Sequence, residues 1–115
     1  MKVSVFGLGY VGAVTAGCLA EAGHTITGVD VQPSKVDAFN SGSSPIVEPG
    51  LEDLLQAARK GGRHSATSSA ASAVADTDVS IICVGTPSSP SGKLDLDHVR
   101  KVTHQISDAV RACRK

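Results

Sequence analysis

The 115-residue sequence lacks the long apolar runs and the one-sided charge that several classes of protein require. No stretch approaches the ~20 consecutive apolar residues of a membrane-spanning helix. Its 11 basic and 11 acidic residues give a formal net charge of zero. This balance argues against nucleic-acid and membrane partners, because both need a basic face. The N-terminus has no signal-peptide pattern, so we expect a cytoplasmic protein.

Cysteine and histidine are also too few or too scattered to form a set of disulfide bonds or a metal site. The three cysteines have no Cys-x-x-Cys spacing, and the four histidines form no cluster. The sequence therefore predicts neither a closed disulfide set nor a metal site. Cys18 falls in a predicted helix and Cys83 in an apolar strand, so both are predicted to be small buried residues. The length and the 41% of apolar residues fit one soluble globular domain.

The most informative pattern lies in residues 2–30. A β-branched strand runs into a G-x-G-x-x-G fingerprint at Gly7, Gly9 and Gly12, and a small-residue helix and a second apolar strand ending at Asp30 follow. Strand, glycine turn, helix, strand and acid in this order are typical of a dinucleotide-binding unit. The alternative is a βαβ unit whose glycines serve packing only, and the context on both sides of the fingerprint disfavours it.

Each part of the fingerprint has a mechanical task. Gly7 allows the tight turn out of the strand, Gly9 lets the backbone approach a pyrophosphate, and Gly12 lets the helix pack closely on the sheet. The start of the helix points unpaired N–H groups at the phosphates. Asp30 is placed to accept hydrogen bonds from the adenosine ribose hydroxyls and to repel a 2′-phosphate. The sequence therefore predicts NAD as cofactor in preference to NADP.

Strands and helices continue to alternate along the rest of the chain. Further strands are predicted at residues 64–67 and 79–84, with helices between them and a last amphipathic helix whose apolar face runs from Leu96 to Cys113. This alternation predicts an α/β fold, a truncated Rossmann-type doubly wound parallel sheet with strand order 3-2-1-4. Residues 1–115 are expected to form one NAD-binding domain.

The predicted strand at residues 79–84, VSIICV, has the sequence of a buried strand. In the order 3-2-1-4 it lies at an edge of the sheet. Unpaired apolar edges invite association. We therefore expect marginal stability, dimerisation through this edge, or aggregation.

Two polar residues have positions from which they could reach a cofactor. Lys35, five residues after Asp30, could turn back toward the ribose or a phosphate, and a solvated surface lysine fits the spacing equally well. Thr86 follows the strand at residues 79–84, at the end of the sheet where ligands bind in open α/β folds. An ordinary turn threonine before proline fits that position slightly better.

The chain resembles the N-terminal part of the nucleotide-sugar 6-dehydrogenases, the family of the UDP-glucose and GDP-mannose dehydrogenases. Four stretches spread over nearly the whole chain carry the resemblance: FGLGYVGAVTAGCLAEAGH, GVD with the following Lys35, SPIVEPGLEDLL, and VSIICVGTP with the later LDL. SPIVEPGLE and the spacing around SGKLDLD resemble the GDP-mannose enzymes more than their UDP-glucose relatives.

This resemblance implies a reaction and a set of binding residues. The reaction is oxidation of a sugar C6 alcohol to a carboxylate in two steps, with two NAD reduced and a thioester formed on a cysteine. Tyr10 and Val11 would lie near the pyrophosphate, Asp30 and Lys35 beside the adenosine ribose, and Thr86 in the cofactor cleft. The implied cofactor-binding residues are Gly7, Gly9, Tyr10, Val11, Gly12, Asp30, Lys35 and Thr86.

Members of the family are much longer than this chain. The resemblance places their sugar-nucleotide domain and catalytic cysteine outside the matched stretch, and Cys18, Cys83 and Cys113 do not match that cysteine's context. No catalytic residue is therefore assigned, and the chain alone is expected to be catalytically incomplete. A nucleotide-sugar partner would bind through the other domain, and homo-oligomerisation or self-association through the edge strand is expected. The resemblance also implies a role in polysaccharide biosynthesis.

Two other classes of function remain open from the sequence. A stand-alone nucleotide-sensing module would need neither the SPIVEPGLEDLL nor the CVGTP stretch. An oxidoreductase that uses NADP or FAD is disfavoured by Asp30 and by the lack of a second FAD motif.

Overall fold

The chain folds around a four-stranded parallel sheet in the order β3-β2-β1-β4, in a computed structural model that describes residues 1–43, 49–85, 88 and 90–113. The predicted α/β class and the strand order 3-2-1-4 are both confirmed. The strands are β1 (Lys2–Phe6), β2 (Thr25–Val29), β3 (His64–Thr67) and β4 (Val79–Ile82). The helices of the described residues are α1 (Tyr10–Glu21), α2 (Pro33–Asn40), α3 (Leu51–Lys60), α4 (Ala70–Asp76) and α5 (Asp97–Cys113).

β1 lies at the centre of the sheet and is buried over four consecutive residues. Apolar residues at successive positions are expected there, because helices cover both faces of a parallel sheet. The polar exception is Ser4, which is fully buried. Its hydroxyl lies 2.7 Å from the Ser80 hydroxyl on β4 and 3.1 Å from the Thr77 hydroxyl. This hydroxyl cluster fixes the pairing of β1 with β4, because a shift by one residue would bury these groups without partners.

α1, α2 and α3 cover one face of the sheet. α1 packs through the small residues predicted for its sheet-facing side, namely Gly12, Ala13, Ala16, Gly17 and Ala20. Leu8, Ile26, Phe39 and Leu55 complete this part of the core. Cys18 is exposed, so the prediction that it is buried was wrong. Its position on α1 lies off the stripe of small residues, because a helix turns by about 100° per residue.

α4 and α5 cover the other face. The core there is formed by Phe6, Val29, Ala73, Val74 and Ala109. The apolar side of α5 packs against this core only partly buried, and Ala109 is the one fully buried residue of that helix. Leu96 precedes α5 and is 41% exposed. The prediction that Leu96 belongs to the apolar face of the last helix was therefore wrong.

The strands end slightly earlier than the sequence predicts. β2 ends at Val29 and β4 at Ile82, where the predicted strands reached residues 30 and 84. The Cys83 N–H still donates to the Phe6 carbonyl at 2.7 Å, and the chain then leaves the sheet. Cys83 lies over the turn at Gly7, and its carbonyl oxygen occupies the space that a Cβ at Gly7 would need.

The outer edge of β3 is covered by the end of α2. The Asn40 side chain donates to the Ala66 carbonyl at 3.0 Å and accepts from the Ala66 N–H at 2.8 Å. The amide thereby pairs with the edge residue as a neighbouring strand would. At Ala66 this contact occupies the backbone groups that another chain would need for pairing with the β3 edge.

His64 ties the same edge to α2. Its imidazole Nε2 contacts the Phe39 carbonyl, and its ring packs on the Phe39 ring with centroids 4.2 Å apart. Nδ1 is buried without a hydrogen-bond partner among the described residues. Burial lowers the pKa of His64 below its ordinary value, the Phe39 carbonyl partly opposes that shift, and the charge of Arg59 adds to it.

β4 forms the opposite edge of the sheet. Val79 and Ile82 are 43% and 39% exposed there. Neither β4 nor the two residues that follow it carries a charged side chain. Among the described residues, no helix has both the length and the apolar character needed to cross a membrane.

Candidate cofactor site

The site begins at the turn between β1 and α1. Gly7 has φ +98°, a conformation that residues with a side chain rarely adopt. A Cβ at this position would also lie 2.8 Å from the Cys83 carbonyl oxygen. The Gly7 N–H donates to the Val29 carbonyl at 2.8 Å, which ties the turn to the end of β2. Glycine is therefore required here both by backbone conformation and by space.

The other two glycines of the fingerprint differ from each other. A Cβ at Gly12 would lie 1.7 Å from the Gly7 carbonyl oxygen, so the first turn of α1 packs directly on the glycine turn. A Cβ at Gly9 would meet no atom of the described residues within 4 Å. Packing against this part of the chain therefore does not require a glycine at position 9. The open space in front of Gly9 and the first N–H groups of α1 together suit an anionic ligand.

Asp30 links the two loops at this end of the sheet. Its Oδ2 accepts a hydrogen bond from the Leu8 N–H at 2.9 Å, inside the glycine turn. Its Oδ1 accepts from the Gln32 N–H at 2.9 Å, at the start of α2. Each carboxylate oxygen can accept a second hydrogen bond. The side chain is therefore held in place and still able to accept from the hydroxyls of a ribose.

A cleft of about 170 Å³ opens at the carboxyl ends of the strands. Gly7, Asp30 and Val84, which follow β1, β2 and β4, line it on the side of the sheet. α5 contributes the facing residues His98, Lys101, Val102 and Gln105. In open α/β sheets ligands bind at this end, where the strand order changes direction.

Of the predicted site residues in the described part of the chain, Gly7 and Asp30 line this cleft, whereas Tyr10, Val11 and Lys35 do not. Tyr10 and Val11 are 54% and 62% exposed at the start of α1. Lys35 is partly buried in the first turn of α2. Thr86 lies outside the described residues, so its predicted role stays a prediction.

Cys83 lies beside the glycine turn, and its Cβ would be 3.5 Å from a Cβ at Gly12. Burial raises the pKa of the Cys83 thiol, and a hydrogen bond with the Thr15 side chain partly opposes the shift. A thiol with a raised pKa is a poor nucleophile at neutral pH.

The described residues contain no group of three or more His, Cys, Asp or Glu side chains that could hold a metal ion.

Nothing in the sequence pattern identified several of the residues that line the cleft. They are Val31, Ser68, His98, Lys101, Val102 and Gln105. His98, Lys101 and Gln105 recur at spacings of three and four, which places them on one stripe of α5. That periodicity is visible in the sequence, but only the fold shows that the stripe faces Asp30.

A parallel sheet with a tight glycine turn, an open helix N-terminus and an acid at the end of β2 defines a Rossmann-type dinucleotide-binding domain. Residues 1–114 match the model of the UDP-glucose/GDP-mannose dehydrogenase family, NAD binding domain. The chain therefore belongs to that family and corresponds to its NAD-binding domain.

Comparison with known proteins agrees with this assignment. GDP-mannose 6-dehydrogenase from Pseudomonas aeruginosa is 57% identical over 111 residues, which cover 96% of this chain and 26% of that protein. UDP-glucose 6-dehydrogenase from the same organism is 41% identical over 114 residues, 98% of this chain and 25% of that protein. The crystal structure of a ternary complex of the Pseudomonas aeruginosa GDP-mannose dehydrogenase matches with a TM-score of 0.95, at 57% identity over 96% of this chain and 26% of that chain. The chain thus spans about a quarter of the length of these relatives.

Proposed function

We propose that this chain supplies the NAD-binding part of an enzyme that oxidises the C6 alcohol of GDP-mannose to the carboxylate of GDP-mannuronate. The observation that carries this proposal is a comparison within one organism. The chain is 57% identical to the GDP-mannose 6-dehydrogenase of Pseudomonas aeruginosa and 41% identical to its UDP-glucose 6-dehydrogenase. UDP-glucose is the alternative substrate.

The described residues suit the binding of NAD. The open space at Gly9 and the N-terminus of α1 fit the pyrophosphate, with Tyr10 and Val11 beside it, and Asp30 can accept from the adenosine ribose. Lys35, five residues after Asp30, and Thr86 complete the proposed set. Bound NAD supplies the hydride acceptor, and oxidation of an alcohol to a carboxylate needs two such acceptors in succession. The task of this chain is to hold and orient the cofactor.

The residues that act on the sugar are proposed to lie in a further domain. Among the three cysteines, Cys18 is exposed on a helix away from the cleft, and Cys83 and Cys113 are partly buried. We assign no catalytic role to any of them, so the chain alone is proposed to bind cofactor without turning over substrate. A cytoplasmic location and a role in polysaccharide biosynthesis fit a nucleotide-linked uronic acid as product.

A chimera tests the proposed substrate class. The matched 111 residues of the Pseudomonas aeruginosa GDP-mannose 6-dehydrogenase are replaced by this chain, and NADH formation is followed with GDP-mannose and with UDP-glucose. The same replacement in the UDP-glucose 6-dehydrogenase of that organism is the matched comparison, and Asp30→Ala in each chimera shows that the NADH signal depends on this domain.

We expect the GDP-mannose chimera to keep a substantial part of its host's activity and the UDP-glucose chimera to lose most of its own, because contacts between domains co-adapt within an enzyme. Equal function in both hosts would leave NAD binding intact but remove the support for GDP-mannose. Inactivity of both well-folded chimeras would contradict the proposal.

A further inference from the structure

We propose that Lys101 and Gln105 of α5 determine which base the cofactor carries, by contacting the edge of the adenine ring. Val31 and Val102 contact its faces in the same subsite. This inference rests on NAD binding at the glycine turn and names residues that the fingerprint does not include. All four residues line the cleft of about 170 Å³ at the carboxyl ends of the strands.

The direction of the cofactor follows from its two anchors. The pyrophosphate belongs at the open space before Gly9, and the adenosine ribose belongs at the carboxylate of Asp30. The base is attached to the ribose on the side away from the pyrophosphate. Beyond Asp30 the cleft continues between Val31 and α5. The base therefore enters the part of the cleft that these residues enclose.

The apolar lining suits the faces of a purine. Val31 follows Asp30 directly, lines the cleft and is 76% exposed. Val102 lies on the α5 side of the cleft and is partly buried against the core beneath it. Covering Val31 with a flat aromatic ring removes apolar surface from water, which favours binding.

The polar lining suits the edge of the base. Lys101 and Gln105 lie one helical turn apart on the stripe of α5 that faces the cleft. The adenine edge presents ring-nitrogen acceptors and an exocyclic amine donor. A glutamine amide both donates and accepts, and a lysine ammonium donates. The Lys101 ammonium only donates, so it favours the acceptor ring nitrogen beside the amine of adenine over the ring N–H that hypoxanthine carries there. The Gln105 amide can rotate to pair with the edge of either base, so it adds affinity while Lys101 supplies the discrimination.

Replacing Lys101 with alanine removes a positive charge from α5, and the neighbouring Arg100 offers a control for that loss. Arg100 precedes Lys101 on α5 and borders a different surface, formed with Leu94, Asp95 and Leu96. Arg100→Ala therefore removes the same charge as the Lys101→Ala part of the double variant, from the adjacent helical position and away from the cleft.

The experiment is calorimetric titration of the 115-residue chain with NAD, with nicotinamide hypoxanthine dinucleotide and with AMP. The variants are the double substitution Lys101→Ala/Gln105→Ala, the cleft-filling substitution Val102→Phe, and the control Arg100→Ala. Thermal unfolding of each variant shows whether it is folded. Because both positions of the double variant are polar and not fully buried, that variant keeps the test valid if Val102→Phe fails to fold.

We expect the double variant to bind NAD and AMP roughly tenfold more weakly, which corresponds to about 1.4 kcal/mol, and to lose the preference for NAD over the hypoxanthine analogue. A folded Val102→Phe is expected to weaken both ligands as well, and Arg100→Ala to bind like the unmodified chain. Unchanged NAD affinity and base preference in the double variant overturns this inference alone, provided that Asp30→Ala still weakens NAD. Failure of the folded, unmodified chain to bind NAD overturns the proposed function and this inference with it.

Discussion

The carboxylate of Asp30 accepts a hydrogen bond from the backbone N–H of Leu8 at 2.9 Å, so the acid at the end of β2 is tied to the glycine turn that follows β1. The two residues are 22 positions apart in the sequence. This contact joins the proposed ribose subsite to the proposed pyrophosphate subsite before any ligand binds. Asp30 therefore has a structural role in addition to its proposed contact with the cofactor.

Removing the Asp30 carboxylate should destabilise the fold. Asp30→Ala leaves the N–H groups of Leu8 and Gln32 without their acceptor, and we expect a loss of about 1–2 kcal/mol in the free energy of unfolding. Asp30→Asn keeps one oxygen acceptor and should lose less. Urea unfolding of both variants measures the difference. Equal stability of Asp30→Ala and the unmodified chain would show that water replaces these bonds without cost.

Alanine at Gly9 and at Gly12 should have opposite effects on folding and binding. At Gly12 the new Cβ would lie 1.7 Å from the Gly7 carbonyl oxygen, so the turn must shift, and we expect a loss of about 3 kcal/mol or more in stability. At Gly9 the new Cβ meets no atom within 4 Å in the part of the chain that the structure describes, so stability should change by less than about 0.5 kcal/mol.

The Gly9→Ala variant should nevertheless bind NAD at least tenfold more weakly, because its methyl group occupies the space proposed for the pyrophosphate. Calorimetry on the folded variant checks this. If Gly9→Ala binds NAD as the unmodified chain does, the pyrophosphate does not approach the backbone at that position.

Acid should destabilise the chain through His64. Its pKa in the folded protein lies below the ordinary value of 6.5, chiefly because of burial, so the unfolded chain takes up this proton first as the pH falls. The stability that neutral His64 contributes is therefore present above pH 6.5 and is lost as the pH falls from there toward the folded-state pKa. Urea unfolding at several pH values from neutral to about pH 5 measures this loss.

His104→Gln is the matched control for His64→Gln, since His104 is an exposed histidine of α5. The His64 variant should show a flatter dependence of stability on pH in this range, whereas the His104 variant should follow the unmodified chain. Identical slopes for all three proteins would exclude His64 as the group responsible.

The two edges of the sheet differ in how they are covered, and this difference predicts where copies of the chain associate. Asn40 pairs with Ala66 at the β3 edge, whereas Val79 and Ile82 are exposed at the β4 edge. We propose that copies of this chain associate through β4. Ile82→Lys should therefore raise the monomer fraction in size-exclusion chromatography with light scattering at high concentration, because a charged residue opposes pairing of edge strands.

Ser72→Lys, an exposed position on α4, adds the same charge away from this edge and should leave association unchanged. A monomeric unmodified chain at high concentration, or equal effects of the two lysines, would contradict association through β4.

Local sequence signals were enough to predict the sheet and its glycine turn. The positive φ of Gly7 and the contact between Gly12 and the Gly7 carbonyl are requirements that arise within a few residues. The apolar strands and the helices between them allow few arrangements other than 3-2-1-4. The family resemblance, carried by stretches along nearly the whole chain, is confirmed by the match over residues 1–114.

Features that depend on how a helix is rotated against the sheet were harder to predict. The exposure of Cys18 and the orientation of Lys101 toward the cleft both depend on packing between elements distant in sequence. The bonds of Asn40 to Ala66 join residues 26 positions apart, and no spacing rule reports them. The sequence also shows that Asp30 follows a strand, but the double anchoring of its carboxylate becomes visible only when Leu8 and Gln32 are placed beside it.

The central claim is that this chain binds NAD through the glycine turn and Asp30. Calorimetric titration with NAD and with NADP, on the unmodified chain and on Asp30→Ala, tests it most directly, with circular dichroism on the same samples to establish that both are folded. We expect the unmodified chain to bind NAD at least about tenfold more tightly than NADP, a difference of about 1.4 kcal/mol, and Asp30→Ala to lose this preference. A folded chain that binds neither dinucleotide, or binds both equally, would contradict it.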